Sequence, residues 1–222
     1  YRPLSEVRRD QLERLRAILD HAAAKSPLHR ERLRACGFEP GALESLDDLA
    51  GLPLTTKDDI RERRQDMLAE GVDPASLVTM TTSGSTGVSL TLHMDEDSRQ
   101  WKRACAIRHD MWTGWRLGER VGAAWGNPEA AKHWRLWLRN ALLIRHIPLD
   151  TLRMDEAAMT RFHAELIRLK PTLLFGHAHS LYLFARFARE RGLAPFKPKG
   201  VVSTAMVLHD FERAVIEEVF QA

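Results

Sequence analysis

Residues 79–95 read TMTTSGSTGVSLTLHMD. Within them Thr81-Thr82-Ser83-Gly84-Ser85-Thr86-Gly87 holds only hydroxyls and glycines, with no charge. Glycine lets a backbone adopt positive φ and come close to a ligand. Successive amides in such a turn can converge on one anion, and Ser and Thr add hydroxyl donors. The chemistry this suits best is polyphosphate binding, although a Ser/Gly hairpin turn that holds nothing has the same composition. It is not a Walker A loop, because no lysine follows Gly87 and a strand rather than a helix is expected next.

A second group of residues follows short apolar runs: Trp125-Gly126-Asn127, Gly176-His177-Ala178-His179-Ser180 and Ser203-Thr204-Ala205-Met206. If residues 177–179 were extended, both imidazoles would face one way and could share a metal. No third ligand is apparent, so no metal site is expected. A Gly-x-Ser-x-Gly elbow is missing, which sets aside a nucleophilic serine hydrolase.

The elements that must position these residues are legible in outline. Residues 5–24 form an amphipathic helix with Leu12, Leu15, Leu19 and Ala22 on one face and Ile18 beside them. Ser26-Pro27 reads as an N-cap followed by Pro at the first helical position. That helix runs to Cys36, and Gly37 stops it. SLDD at 45–48 and TKDD at 56–59 fit capping boxes. From Leu77 the pattern becomes strand-like, LVTMT and VSLTLHM alternating with period two. Helices over 96–112, 131–143 and 155–169 then alternate with strands at RVGAAWG, LLIRHIPL, TLLFG and GVVST, and HDFERAVIEEVF closes the chain as a helix. On the 131–143 helix Trp134, Trp137, Leu138 and Ala141 share a face. Strands alternating with helices imply a parallel sheet covered by helices. The fold class expected is α/β: a helical lead-in over 1–76, then a mostly parallel sheet flanked by helices over 77–222. Ligands on such sheets sit at the carboxyl ends of the strands, where the 125, 176 and 203 segments lie.

The chain has 222 residues, is 44% hydrophobic and 28% charged, and carries a formal net charge of +3. That mild basicity is spread out and suits anionic small molecules as well as nucleic acid. KHWRLWLRNALLIRH (132–146) is basic with tryptophans and could lie on a membrane or nucleic acid, but its arginines read equally as a solvated face. No nucleic-acid partner and no membrane span are expected. The two cysteines, Cys36 and Cys105, fit a reducing compartment, so a cytoplasmic location is expected.

TTSGSTG resembles the phosphate-binding loop of the adenylate-forming superfamily, the acyl-CoA synthetases and their relatives. SPLHRERLRACG with SLDDLAGLPLTTKDDIRE, KPTLLFGHAHSLYLFARFARERG and VVSTAMVLHDFERAVIEEVF follow in the order of the phenylacetate–CoA ligase branch, including its capsule-polysaccharide-associated relatives. The similarity spans about residues 10–220. It implies the partial N-terminal domain of an enzyme that adenylates an (aryl) carboxylic acid with ATP and Mg²⁺ and passes the acyl group to coenzyme A. On this resemblance Thr82, Ser83, Gly84, Ser85, Thr86 and Gly87 hold the ATP phosphates. Trp125, Gly126, Gly176, His177, His179, Ser203, Thr204 and Ala205 line the acyl and nucleotide pocket. The partners implied are a small-molecule carboxylic acid, ATP and coenzyme A, with a homodimer left open.

Two positions depart from the family pattern. Val88-Ser89 stands where many members have a residue and then proline, and Met206 stands where relatives carry an acidic side chain. The family's next elements after Ala222, a nucleotide-binding turn and a lysine-bearing C-terminal domain, are not in this sequence. No catalytic residue is therefore expected within it, and this part alone is expected to be inactive. Two alternatives remain open: a non-catalytic binding or assembly module that kept the fold, and an adenylate-forming enzyme whose acyl acceptor is an amine or a sugar.

Overall fold

A computed structural model describes residues 2–81, 89–126, 134, 138, 142 and 145–222. They form two compact units, 1–101 and 102–222. In the first, α1 (Leu4–Lys25) and α2 (Pro27–Ala35) are followed by short 3-10 turns and α3 (Lys57–Glu62). Leu12, Leu15, Leu19 and Ala22 are half-buried as their spacing requires, whereas Ile18 is 59% exposed because it sits at the edge of that stripe. Gly37 ends α2 with φ +64. Ser26 does precede Pro27, but its hydroxyl does not cap the helix. It is buried, 2.8 Å from His29 Nδ1 and 3.1 and 3.2 Å from the Asp66 and Met67 carbonyl oxygens. The hydroxyl proton goes to distant carbonyls, and this placement leaves the oxygen without a bond to the first-turn amides.

Both expected capping boxes form, around Ser45/Asp48 and Thr56/Asp59. Asp59 also meets the Arg32 guanidinium at 2.5 Å, tying α3 to α2. β1 (Val78–Thr81) pairs antiparallel with β2 (Thr91–Met94), Thr81 opposite Thr91. Residues 82–90 therefore connect two neighbouring antiparallel strands, which a Walker loop does not do. The phosphate-loop residues Thr82–Gly87, and Val88 after them, lie outside the described residues. α4 (Glu96–Met111) follows.

The second unit contains a four-stranded parallel sheet in the order β4-β3-β5-β6. Its strands are β3 (Val121–Ala124), β4 (His146–Leu149), β5 (Leu173–His177) and β6 (Gly200–Thr204). Pro148, which lacks an N–H, sits on β4 at the end of this order, where strand prolines are tolerated. β3 is buried at all four positions. One face carries Ala124, Ile147, Leu149 and Leu174 against α5 (Glu156–Leu169), α6 (Ala178–Glu190) and α7 (Asp210–Phe220), with Phe162, Leu166, Leu181, Phe184 and Phe220 filling the core. The other face holds Val121, Leu173 and Val202 against Trp115. Asp155 caps α5 through Ala158 N–H at 2.7 Å. Of the helix expected over 131–143, Trp134, Leu138 and Leu142 are described; they are helical and exposed, and Trp137 and Ala141 lie outside the described residues.

The strand starts are tied by Glu119, whose carboxylate accepts from Arg116 N–H at 2.9 Å, the Thr172 hydroxyl at 2.9 Å and Lys199 Nζ at 3.1 Å. With that edge clamped, the opposite edge is where the strands open into loops.

The Arg32 guanidinium, then the Thr56 N–H and hydroxyl, hold the Asp59 carboxyl down to about 2. A carboxylate depressed on folding stabilises the fold above its unfolded pKa of about 4 and loses that contribution as pH falls towards its folded value. The melting-temperature gap between the wild type and Asp59→Asn is therefore expected to hold from neutral pH to about 4 and to close towards about 2. A gap that stays constant through that range contradicts the assignment.

Candidate functional site

The carboxyl edge of the sheet collects most of the described residues singled out in the sequence. Parallel pairing sets Ala124 opposite Gly176, and Gly176 opposite Ser203. The next position brings Trp125 beside His177, which itself pairs with Thr204. Because side chains alternate along a strand, Phe175, His177 and Thr204 share one face, while Gly176 and Ser203 belong to the other. Trp125 closes over the first group. Its ring centroid lies 4.2 Å from His177, tilted 35°, and 5.3 Å from Phe175. Centroid separations of this size are those of a favourable aromatic contact. Trp125 remains 42% exposed, so one side of the indole faces open space.

Backbone shape sets the rim. Trp125 N–H donates to Leu149 O at 3.2 Å and Thr151 N–H to Gly126 O at 3.1 Å, carrying the β3–β4 ladder past the strands. Gly126 turns away with φ +37. Ala205 takes φ +66, an unusual backbone for a residue with a Cβ. Met206 and Val207 follow, 57% and 74% exposed. Asn127 lies outside the described residues.

His177 and His179 are not arranged as an extended pair. His177 ends β5, while His179 lies in the first turn of α6, and the change from strand to helix turns the two rings to different partners. His179 Nδ1 lies 2.8 Å from Glu212 Oε1. Among the described residues no group of three or more His, Cys, Asp or Glu side chains is placed to hold a metal ion. No described helix is long and apolar enough to cross a membrane.

Two structural features of this unit were not legible in the sequence. Glu212 is one, since its partner is 33 positions away on another helix and no periodicity links them. The other is a cavity of about 420 Å³ on the Trp125 side of the sheet. It lies towards the strand starts: Ile107, Trp115, Val121, Leu173 and Phe175 line it, with Arg103, Asp110 and His146 as polar groups. Phe175 thus belongs both to the cavity wall and to the Trp125 cluster. Enclosure by these walls lowers the His146 pKa and raises that of Asp110. The volume lies within the range of small-molecule sites.

No family model matches the chain. In sequence it is similar to phenylacetate-coenzyme A ligase of Pseudomonas putida, 33% identical over 121 residues, a match taking in 54% of this chain and 27% of that protein. It is also similar to phenylacetate-coenzyme A ligase of Aromatoleum evansii, 36% identical over 125 residues, 54% of this chain and 28% of that one. In structure it is similar to 2-hydroxyisobutyryl-CoA ligase in complex with 2-HIB-AMP and CoA, with TM-score 0.72, 24% identity, and coverage of 99% of this chain and 48% of that chain. The fold is that of part of an adenylate-forming CoA ligase. The resemblance to the phenylacetate–CoA ligase branch, carried by the motifs quoted above, holds in the similarity to the two curated relatives. The matches span about a quarter of the curated relatives' length, and the chain spans about half of the solved ligase.

Gly176 is required by packing. A Cβ there would sit 2.5 Å from Ala124 O and 3.0 Å from Ala124 Cβ, so β3 and β5 would have to part. A Cβ at Gly122 would sit 2.7 Å from Leu166 Cδ2, a side-chain end that can turn away. Gly176→Ala is expected to destabilise by about 1–3 kcal/mol and Gly122→Ala by less, read from denaturant midpoints. The reverse order contradicts the β3–β5 approach described here.

Proposed function

We propose that the chain is part of an ATP-dependent, AMP-forming ligase that adenylates a carboxylic acid with an aryl or other apolar body and passes the acyl group to coenzyme A. The observation that carries the reading is the similarity to two phenylacetate–CoA ligases, at 33% and 36% identity. The geometry at the sheet's carboxyl edge supports it: an indole stacked on an imidazole and on Phe175, whose ring continues on the same face into an apolar cavity nearer the strand starts.

In this reading the carboxylate attacks the α-phosphate of ATP, and pyrophosphate leaves. Thr82, Ser83, Gly84, Ser85, Thr86 and Gly87 hold the departing phosphates with amide and hydroxyl donors, where charge builds as the bond breaks. Trp125, Gly126 and His177 wall the acyl group. Gly176 lets β3 and β5 close up behind that wall. Ser203, Thr204 and Ala205 offer hydroxyls and a turned backbone towards the nucleotide. Mg²⁺ would neutralise phosphate charge; no described cluster of carboxylates fits it.

Met206, 57% exposed in the turn after β6, favours a second reading. A thioether accepts hydrogen bonds only weakly, and a non-catalytic binding module would tolerate it there. ATP-dependent pyrophosphate release by the complete protein with any carboxylic acid excludes that module.

Ser85→Ala with Thr86→Ala in the complete protein is expected to lower ATP–pyrophosphate exchange by more than about tenfold, since each lost donor is worth about 1 kcal/mol or more. Unchanged exchange in the double variant removes the loop from the site.

A further inference from the structure

The His179–Glu212 pair has more built into it than a helix end needs. Glu212 occupies the third position of α7, and its Oε2 accepts the His209 N–H at 3.1 Å, as a capping carboxylate does. Asp48 does the same work for Ser45 in an exposed position. Glu212 instead is 2% exposed, and its second oxygen, Oε1, meets His179 Nδ1 at 2.8 Å. An ionised carboxylate only accepts, so Nδ1 carries the proton and Nε2 of the neutral ring is left as an acceptor. The His179 side chain is 53% exposed, in the first turn of the helix that follows β5. Tyr182 of α6 flanks it, with ring centroids 5.9 Å apart, and Phe211 of α7 packs against Tyr182 at 5.4 Å. The titratable neighbours are Tyr182, with Arg186 over its ring, and His209 just ahead of α7. The hydrogen bond from His179 also holds the Glu212 carboxyl below the ordinary glutamate range, keeping it ionised at neutral pH.

We infer that His179 accepts the proton released when the acyl group is handed to its acceptor thiol, with Glu212 as the positioning residue that fixes its tautomer. This rests on the ligase reading. The thiol S–H bond gives its proton to His179 Nε2, and the sulfur electron pair forms the bond to the acyl carbon. The bond from that carbon to the AMP oxygen breaks, and AMP leaves with its electrons. Glu212 stays ionised and stabilises the imidazolium.

The test uses the complete protein, with adenylation read by ATP–pyrophosphate exchange and transfer read by single-turnover reaction of preformed acyl-adenylate with coenzyme A. In Glu212→Gln the transfer rate is expected to fall at least about tenfold more than the exchange rate, and the acidic limb of its pH profile to move. Histidine ¹⁵N spectra of the wild type, assigned with His179→Gln, are expected to show His179 protonated at Nδ1. Equal losses in both half-reactions, an unmoved profile, or an Nε2-protonated His179 overturns the proton-accepting role and leaves the ligase reading standing. Absence of exchange in the wild type with every acid tried overturns the ligase reading, and this role with it.

Discussion

The close parallel pairing of β3 and β5 is the contact on which the rest of the second unit depends. It is made by small residues: Gly122, Ala123 and Ala124 on one strand and Gly176 on the other. With no Cβ at Gly176, the Ala124 carbonyl can come near enough for the register to close. The consequence appears one residue further on, where both strands end. Trp125 and His177 emerge side by side and stack at 4.2 Å. A shift of one position would send the imidazole to the opposite face, away from the indole and away from the cavity that Phe175 lines.

The two edges of this sheet differ in how they are held. At the amino edge Glu119 accepts from an amide, a hydroxyl and an ammonium, which ties the strand starts together. At the carboxyl edge the backbone departs from regular geometry at Gly126 and Ala205, and large side chains stand open to solvent. Backbone strain of that kind persists where surrounding structure holds it, and it concentrates at functional sites.

How far the sequence carried depended on whether the signal was local. Period-two alternation placed β1 and β2, and short apolar runs placed the four parallel strands. Capping carboxylates at Asp48 and Asp59, with Gly37 as a stop, marked helix boundaries. What lay beyond local signals is tertiary. Ser26 holds the N-cap position, but its hydroxyl donates to carbonyls 40 and 41 positions away and makes no bond to the first-turn amides. Glu212 lies in the first turn of α7, and its partner His179 lies on a different helix. His177 and His179 would share a face only if extended, and a helix begins between them. Trp125, His177 and Thr204 were singled out by strand-end position and by the family resemblance, and the sheet does bring them together, because a parallel sheet gathers its carboxyl-terminal loops whatever their sequences.

The central proposal is that the carboxyl edge of the parallel sheet receives an acyl-adenylate. Hydrogen exchange of the complete protein, with and without a non-hydrolysable aryl-acyl-adenylate analogue, tests it most directly. The account predicts protection of amides at 125–126 and 203–206, with the strand starts around Glu119 and Lys199 unchanged. Protection confined to other segments, or no protection at saturating analogue, contradicts it.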